Sequence, residues 1–107
     1  MPPDPGLVAR VADALDTFGE RGTRQKYVFG GRGFLVGKST FVIVFDESLV
    51  VKTPPADYAA ALAEPGVTPF APDGGRPMST WVVVQGDAVA DDPELAAWVR
   101  RGLRAVR

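Results

Sequence analysis

The segment from Phe29 to Lys38 constrains the fold most, because it places four glycines and a lysine directly before an apolar run. Its composition is that of a phosphate-binding loop, but its spacing is not. A Walker loop requires a glycine five positions before the Gly-Lys pair, where Arg32 stands, and a dinucleotide fingerprint requires one three positions after Gly33, where Val36 stands. Both motifs also lead into a helix, whereas the β-branched and aromatic residues 39–45 predict a strand. The segment therefore indicates turns between strands rather than a nucleotide site.

The amino-acid composition excludes several common kinds of enzyme chemistry. The 107 residues fit one domain spanning 1–107, and the chain has no cysteine and no histidine. Thiol nucleophiles, zinc–thiolate sites and histidine-activated nucleophiles are thereby excluded. The carboxylate pairs Asp46-Glu47 and Asp91-Asp92 fall in a predicted turn and at a predicted helix N-cap, where carboxylates serve local structure. We expect no catalytic activity, no cofactor and no metal ion.

Charge and hydropathy indicate a cytoplasmic protein. The formal net charge is −1, from 12 basic and 13 acidic residues, which gives the whole molecule no general attraction for nucleic acid. No apolar run approaches the roughly 20 residues that span a bilayer. Residues 1–5 lack the basic and apolar regions of a signal peptide. We therefore expect no membrane contact.

The hydrophobic periodicity predicts an α+β fold. An amphipathic helix is predicted from Pro5 to Phe18, with Asp4 as its N-cap and Gly19 as its stop. Further predictions are strands at 25–29, 33–36, 40–45, 49–52 and 80–85, a short helix at 56–63, an irregular stretch at 67–78 and a last helix beginning at 92–94. The connections are short, and Gly37-Lys38 fits a two-residue hairpin, so the sheet should be mostly antiparallel. The order α-β(4)-α-β-α describes a two-layer sandwich.

The strand at 40–45 is apolar on both faces. Simple alternation places Phe41, Ile43 and Phe45 on one face, and Val42 and Val44 on the other. Such a strand is either central and covered on both sides or part of a dimer contact. We keep both alternatives, and a homodimer is one expectation because sheet edges also need cover.

Two segments are candidate ligand or partner contacts. The Gly30-Gly31-Arg32-Gly33 segment is either a bend or bulge where only glycine tolerates positive φ, or an anion-binding nest with Lys38 beside it. The residues Arg76, Met78 and Trp81 either lead rigidly into the last strand, with Met78 and Trp81 in the core, or form a groove. In that groove Arg76 would bind an acidic group and Trp81 would form a wall. The other large aromatic residues, Tyr27, Tyr58 and Trp98, are interpreted as lying at the edge of the core.

Two basic groups stand out. Residues 21–38 contain five cations and no acid, and the last helix carries four arginines on the face opposite its apolar stripe. They are Arg21, Arg24, Lys26, Arg32 and Lys38 in the first group, and Arg100, Arg101, Arg104 and Arg107 in the second. Both groups are interpreted as solvated faces, with weak or indirect nucleic-acid contact as the alternative.

Several short motifs, taken together, resemble the N-terminal domain of the TfoX/Sxy family of bacterial competence regulators. They are Phe29-Gly30-Gly31 with Gly33-Phe34, Gly37-Lys38, Tyr58, residues 62–66, Pro69-Phe70, residues 75–78, Trp81-Val82 and residues 95–99, and their order matches over residues 14–104. The resemblance implies a fold like that of secretion chaperones and a transcriptional co-regulator without catalytic activity. Better-known members act with the cyclic-AMP receptor protein and carry a second, C-terminal domain. This chain resembles a stand-alone copy of the first domain.

The sequence therefore predicts a non-enzymatic cytoplasmic domain that acts through protein–protein contacts, in transcriptional co-regulation of the competence type. Its partner would belong to the transcription machinery. The alternative is a small-ligand or anion-binding module that uses the glycine segment, Lys38 and Arg76.

Overall fold

The computed structural model describes residues 2–28, 30–72 and 74–107, and within them three α-helices pack on one face of a six-stranded sheet. In chain order the elements are α1 (Pro5–Thr17), β1 (Thr23–Val28), β2 (Gly31–Val36), β3 (Ser39–Phe45), β4 (Ser48–Lys52), α2 (Tyr58–Leu62), β5 (Val67–Pro69), β6 (Trp81–Val84) and α3 (Asp92–Val106). Short 3-10 helices occupy Pro55–Asp57 and Gly86–Val89. The strand order is β1-β2-β3-β4-β6-β5, and every neighbouring pair is antiparallel. The predicted α+β class is confirmed.

Local sequence signals determine how α1 begins and ends. The Asp4 carboxylate accepts a hydrogen bond from the Gly6 N–H at 2.9 Å, and Pro5 occupies the first helical position, where its missing N–H costs nothing. The helix ends one residue earlier than predicted, and Gly19 follows with a φ of 77°. Its buried residues are Leu7, Val11 and Leu15.

Two tight turns set the register of the central strands. Val36 pairs with Ser39, which leaves Gly37-Lys38 as a two-residue turn, and the φ of 60° at Gly37 fits the predicted glycine-first hairpin. Phe45 pairs with Ser48, and Asp46 takes a φ of 58° in the turn between β3 and β4. Aspartate is among the few side chains that tolerate this region.

A β-bulge in β3 overturns the predicted division of its faces. Phe34 pairs with Val42 but Leu35 pairs with Thr40, so Phe41 is an extra residue in the strand. Phe41 therefore lies in the cluster under the helices together with Val42. The prediction that Phe41 shares a face with Ile43 and Phe45 is wrong, because a period of two holds only along an uninterrupted strand.

The stretch predicted to be irregular contains a short strand. Residues 67–69 form β5 and pair with residues 82–84 of β6, at the outer edge of the sheet. An edge strand tolerates Pro69, since one side of its backbone needs no donor. Because β5 has only three residues and one of them is proline, its sequence carries no pattern that predicts a strand.

The sheet carries apolar clusters on both faces. We call the side covered by the helices the helical face and the opposite side the second face. On the helical face the core includes Phe34, Phe41, Val42, Val44, Leu49, Val51, Leu95, Trp98 and Val99. On the second face Ile43, Val50 and Phe70 are buried, with Val28, Met78, Trp81 and Val83 packed against them. The central strand is thus covered on both sides within one chain, which was one of the two alternatives.

Among residues 2–28, 30–72 and 74–107, no helix combines the length and apolarity needed to cross a membrane.

Candidate functional site

The candidate segment contains three glycines, Gly30, Gly31 and Gly33, and their structural roles differ. Gly30 has a φ of 82° and lies in the turn between β1 and β2, whereas Gly31 and Gly33 lie inside β2 without positive φ. A Cβ on Gly31 would stand 2.5 Å from the Val44 carbonyl oxygen, and one on Gly33 would stand 2.7 Å from Cγ2 of Val28. The interpretation as a positive-φ bend therefore holds at Gly30 alone. At the other two positions glycine is required by the close approach of neighbouring groups on the second face.

Arg32 lies directly opposite Tyr27 in the β1–β2 register. Its guanidinium carbon is 4.9 Å from the centroid of the Tyr27 ring, a cation–π distance. Tyr27 is 65% exposed, so its interpretation as a core-edge residue is wrong. Trp98 is buried and Tyr58 packs partly buried against the core, as predicted. Tyr27 departs from the pattern because β1 is the outer strand, beyond the cover of the helices.

Lys38 lies at the other end of β2 from the glycine turn. Six residues of β2 separate the two turns, a span of roughly 17 Å at 3.3 Å per step. Lys38 is exposed, and its neighbour Gly37 accepts a hydrogen bond from Nη2 of Arg24 at 3.1 Å. The glycine turn and Lys38 therefore do not converge on one anion.

Met78 and Trp81 cover the second face. The Met78 N–H donates to the Phe70 carbonyl at 2.7 Å, and the Phe70 N–H donates to the Trp81 carbonyl at 3.2 Å. Both side chains pack on the cluster around Ile43 and Val50. Arg76, by contrast, is exposed in the segment between β5 and β6. The structure thus packs Met78 and Trp81 on the same cluster and leaves Arg76 exposed to solvent.

A strained residue anchors the end of this segment. Thr80 has a φ of 71°, which is rare for a β-branched residue and costs on the order of 1–3 kcal/mol. Its carbonyl accepts two hydrogen bonds from Thr53, from the N–H at 2.7 Å and from Oγ1 at 2.9 Å. Thr53 is only 1% exposed. These buried bonds hold the strained carbonyl in place and position Trp81 at the start of β6.

A hollow of about 390 Å³ opens on the second face between the β3–β4 turn and the start of the segment after β5. Phe45 forms one wall, and its ring meets that of Phe70 edge-on with centroids 6.4 Å apart. Asp46 and Ser48 lie at its polar rim. The remaining apolar lining comes from Val50, Pro69, Pro72 and Val83.

Phe45 is the functional candidate that the sequence pattern missed. It is 39% exposed, although it ends the apolar run of residues 41–45 in β3. Its ring reaches over Gly31: its Cδ2 lies 3.3 Å from where a Gly31 Cβ would stand. Its position next to the polar Asp46-Glu47 turn could have indicated this exposure, since strand ends are less covered than strand centres.

Three of the four arginines at the end of the chain are exposed as predicted and Arg101 is partly buried, but most of the four are also paired. Arg101 binds Glu64 at 2.7 Å, Arg104 binds Asp57 at 3.4 Å, and Arg107 binds Glu20. The Arg100 guanidinium lies 3.9 Å from the centroid of the Phe18 ring. Three of the four charges are thus neutralised by acids from other elements.

The first basic group forms no ion pair with any carboxylate of the described residues. Arg21, Lys26 and Lys38 are exposed, and no carboxylate of the described residues lies within ion-pair distance of them. The two groups approach one another at the connection between α1 and β1, where Glu20 binds Arg107 and Arg21 follows. The charge without an acidic partner therefore lies mainly in the first group; in the second group it is Arg100 alone among the described residues.

The carboxylate pairs lie in a turn and at a helix start, as predicted. Asp91 occupies the N-cap position of α3 without a capping hydrogen bond from its side chain, and Asp92 binds Nη2 of Arg10 at 3.0 Å. The same Arg10 nitrogen also donates to the carbonyls of Val89 and Ala90. In the part of the chain that the structure describes, no group of three or more acidic, histidine or cysteine side chains could hold a metal ion.

An antiparallel sheet with helices on one face and a partly covered second face defines a small α+β domain. The family model described as the TfoX N-terminal domain matches residues 13–106, so the chain belongs to the TfoX N-terminal domain family. No curated protein and no solved structure matches the chain.

Proposed function

We propose that this chain is a non-enzymatic, cytoplasmic protein-binding domain that takes part in transcriptional co-regulation of the competence type. The observation that carries the proposal is the hollow beside Phe45. Membership of the TfoX N-terminal domain family over residues 13–106 supports the regulatory role that the family resemblance implies.

The hollow has the composition of a protein-binding site. Protein interfaces combine an apolar anchor pocket with a polar rim, and here Phe45, Phe70 and Pro72 form apolar walls while Asp46 and Ser48 form the rim. Full burial of a phenylalanine side chain contributes about 1.5–3 kcal/mol, so covering the exposed 39% of Phe45 would contribute about 1 kcal/mol. The occupant that fits is an apolar side chain presented by a partner protein.

The lack of catalytic groups supports a binding role over an enzymatic one. The chain has no histidine or cysteine to act as nucleophile or base. Of its adjacent carboxylates, Asp46 lies in a tight turn and Asp92 is paired with Arg10.

Affinity capture of the tagged chain from its native cell, with mass spectrometry, tests the proposal. We expect a transcription factor or RNA polymerase to be recovered with the unmodified chain and with Tyr27→Ser, and to be lost with Phe45→Ser. Tyr27 is the matched control, because it is an exposed aromatic residue outside the hollow. Thermal unfolding of each variant verifies that it is folded.

Recovery of the same partner with Phe45→Ser would contradict the proposed site. Recovery of the chain with a bound metabolite and no protein would instead favour the small-ligand alternative.

A further inference from the structure

The outer edge of β1 is open. β1 is the first strand in the sheet order, it pairs with β2 on one side, and each of its six residues is partly or fully exposed. In an antiparallel edge strand, alternate residues direct both their N–H and C=O groups away from the sheet. Such a row of unpaired groups is a template for a further strand.

Cations line this edge. Arg24 and Lys26 lie opposite Leu35 and Gly33 in the register, so they occupy the same side of the sheet two residues apart. Because the residue opposite Lys26 is glycine, no side chain of β2 shields that lysine. Arg21 and Lys38 both lie near the N-terminal end of β1, because Thr23 pairs with Val36, and neither forms an ion pair among the described residues.

Charge argues against a second copy of the chain on this edge. In an antiparallel pairing of two β1 strands, residues of the second face oppose residues of the second face. The two registers that keep the faces together and pair five of the six residues therefore set Arg24 opposite Lys26 or Lys26 opposite Lys26 of the copy. Like charges directly opposite each other destabilise a strand pair.

The outward N–H and C=O groups of the β1 edge also favour a peptide over a nucleic acid as the ligand. A polypeptide backbone matches the alternating donors and acceptors of the edge, whereas a phosphate chain offers acceptors only. The arginines of α3 that would extend a cationic track for nucleic acid are paired with Glu20, Asp57 and Glu64.

We propose that the β1 edge binds an acidic peptide segment of a partner protein in extended conformation, as an additional antiparallel or parallel strand. Acidic residues at alternate positions of the peptide face Arg24 and Lys26. The intervening residues lie on the opposite side of the sheet, beside Gln25. This site is separate from the hollow at Phe45 and does not rest on the function proposed above.

The test uses a fluorescein-labelled octapeptide of alternating glutamate and threonine, with the glutamine-for-glutamate peptide as its uncharged control. Fluorescence anisotropy at low ionic strength should show saturable binding of the acidic peptide and binding weaker by about tenfold for the uncharged one. Hydrogen exchange of alternate amides within residues 23–28 should slow when the acidic peptide is added. Purely electrostatic association would leave those amides unprotected.

Lys26→Glu is the informative variant, since the Lys26 side chain forms no hydrogen bond or ion pair among the described residues, whereas Arg24 donates a hydrogen bond to the Gly37 carbonyl. We expect it to weaken binding of the acidic peptide by about tenfold, because one attraction becomes a repulsion. Arg76→Glu makes the same change of charge elsewhere on the surface and should stay within about twofold.

Each of the following results would overturn the proposal: no binding of the acidic octapeptide at millimolar concentration, unprotected β1 amides at saturation, or tighter binding of an oligothymidylate than of the peptide. The last would assign the edge to nucleic acid. Loss of binding in Arg76→Glu instead of Lys26→Glu would move the acidic ligand to the segment before β6 and would equally overturn it.

Discussion

Phe41 and Phe45 are the same residue type in the same strand, yet they lie in opposite environments. Phe41 is fully buried on the helical face, whereas Phe45 is 39% exposed beside the hollow on the second face. The bulge at Phe41 separates them, because it breaks the alternation that would have placed both on one face. The comparison shows that the helical face of this sheet stabilises the fold. The second face is covered by Phe70, Met78 and Trp81 in its middle and is exposed to solvent at the end where Phe45 lies.

The largest expected effect comes from removing the two rings one at a time. Phe41→Ala should lower the free energy of unfolding by about 4 kcal/mol, because it leaves a cavity under α3. Phe45→Ala should lower it by about 1 kcal/mol, since that ring is partly solvated already. Urea denaturation of both variants measures the difference. An equal loss in the free energy of unfolding for the two variants would contradict the claimed difference between the two faces.

A side chain added in the middle of the second face should cost nearly as much. Gly33→Val places a Cβ 2.7 Å from Cγ2 of Val28 and forces β1 or Val28 to move. We expect a loss of about 3 kcal/mol in the free energy of unfolding.

Gly75→Val is the matched control for that variant, because a Cβ on Gly75 has no neighbour within 4 Å. It should change stability by less than about 0.5 kcal/mol. A folded Gly33→Val protein of unchanged stability would show that the close approach on the second face does not constrain β2.

The smallest effect tests how the segment over the second face is anchored. Thr53→Val keeps the shape of the side chain but removes the hydrogen bond from Oγ1 to the Thr80 carbonyl, which should cost about 1 kcal/mol. The Met78 amide, bonded to the Phe70 carbonyl, should also exchange faster with solvent.

Thr40→Val serves as the control for Thr53→Val, since the Thr40 side chain forms no hydrogen bond in the described structure. Unchanged stability and unchanged exchange at Met78 in Thr53→Val would mean that the buried Thr53–Thr80 pair does not hold this segment.

Features encoded within a few residues could be predicted from the sequence. The start of α1 at Asp4-Pro5 and the hairpin at Gly37-Lys38 depend on backbone chemistry of adjacent residues, and both are confirmed. The order of the first four strands follows from the short turns between them. These signals were sufficient for the α+β class.

Features that depend on distant parts of the chain could not be predicted. The bulge at Phe41 has no local marker, because every residue of 41–45 is apolar and any register would look acceptable. The pairing of Arg101 with Glu64 joins residues 37 positions apart. The exposure of Phe45 depends on how much of the second face the segment after β5 covers. The candidate residues Gly31 and Gly33 were found, but the reason for glycine at these positions, close approach inside β2, required the sheet.

The most direct measurement of the central claim is binding of the captured partner to Phe45→Ser, compared in one titration with the unmodified chain and Tyr27→Ser. If the open end of the second face is the protein-binding surface, Phe45→Ser weakens binding by about tenfold or more while losing only about 1–2 kcal/mol of stability. Tyr27→Ser should bind as the unmodified chain does. Equal affinity of Phe45→Ser and the unmodified chain would contradict the account.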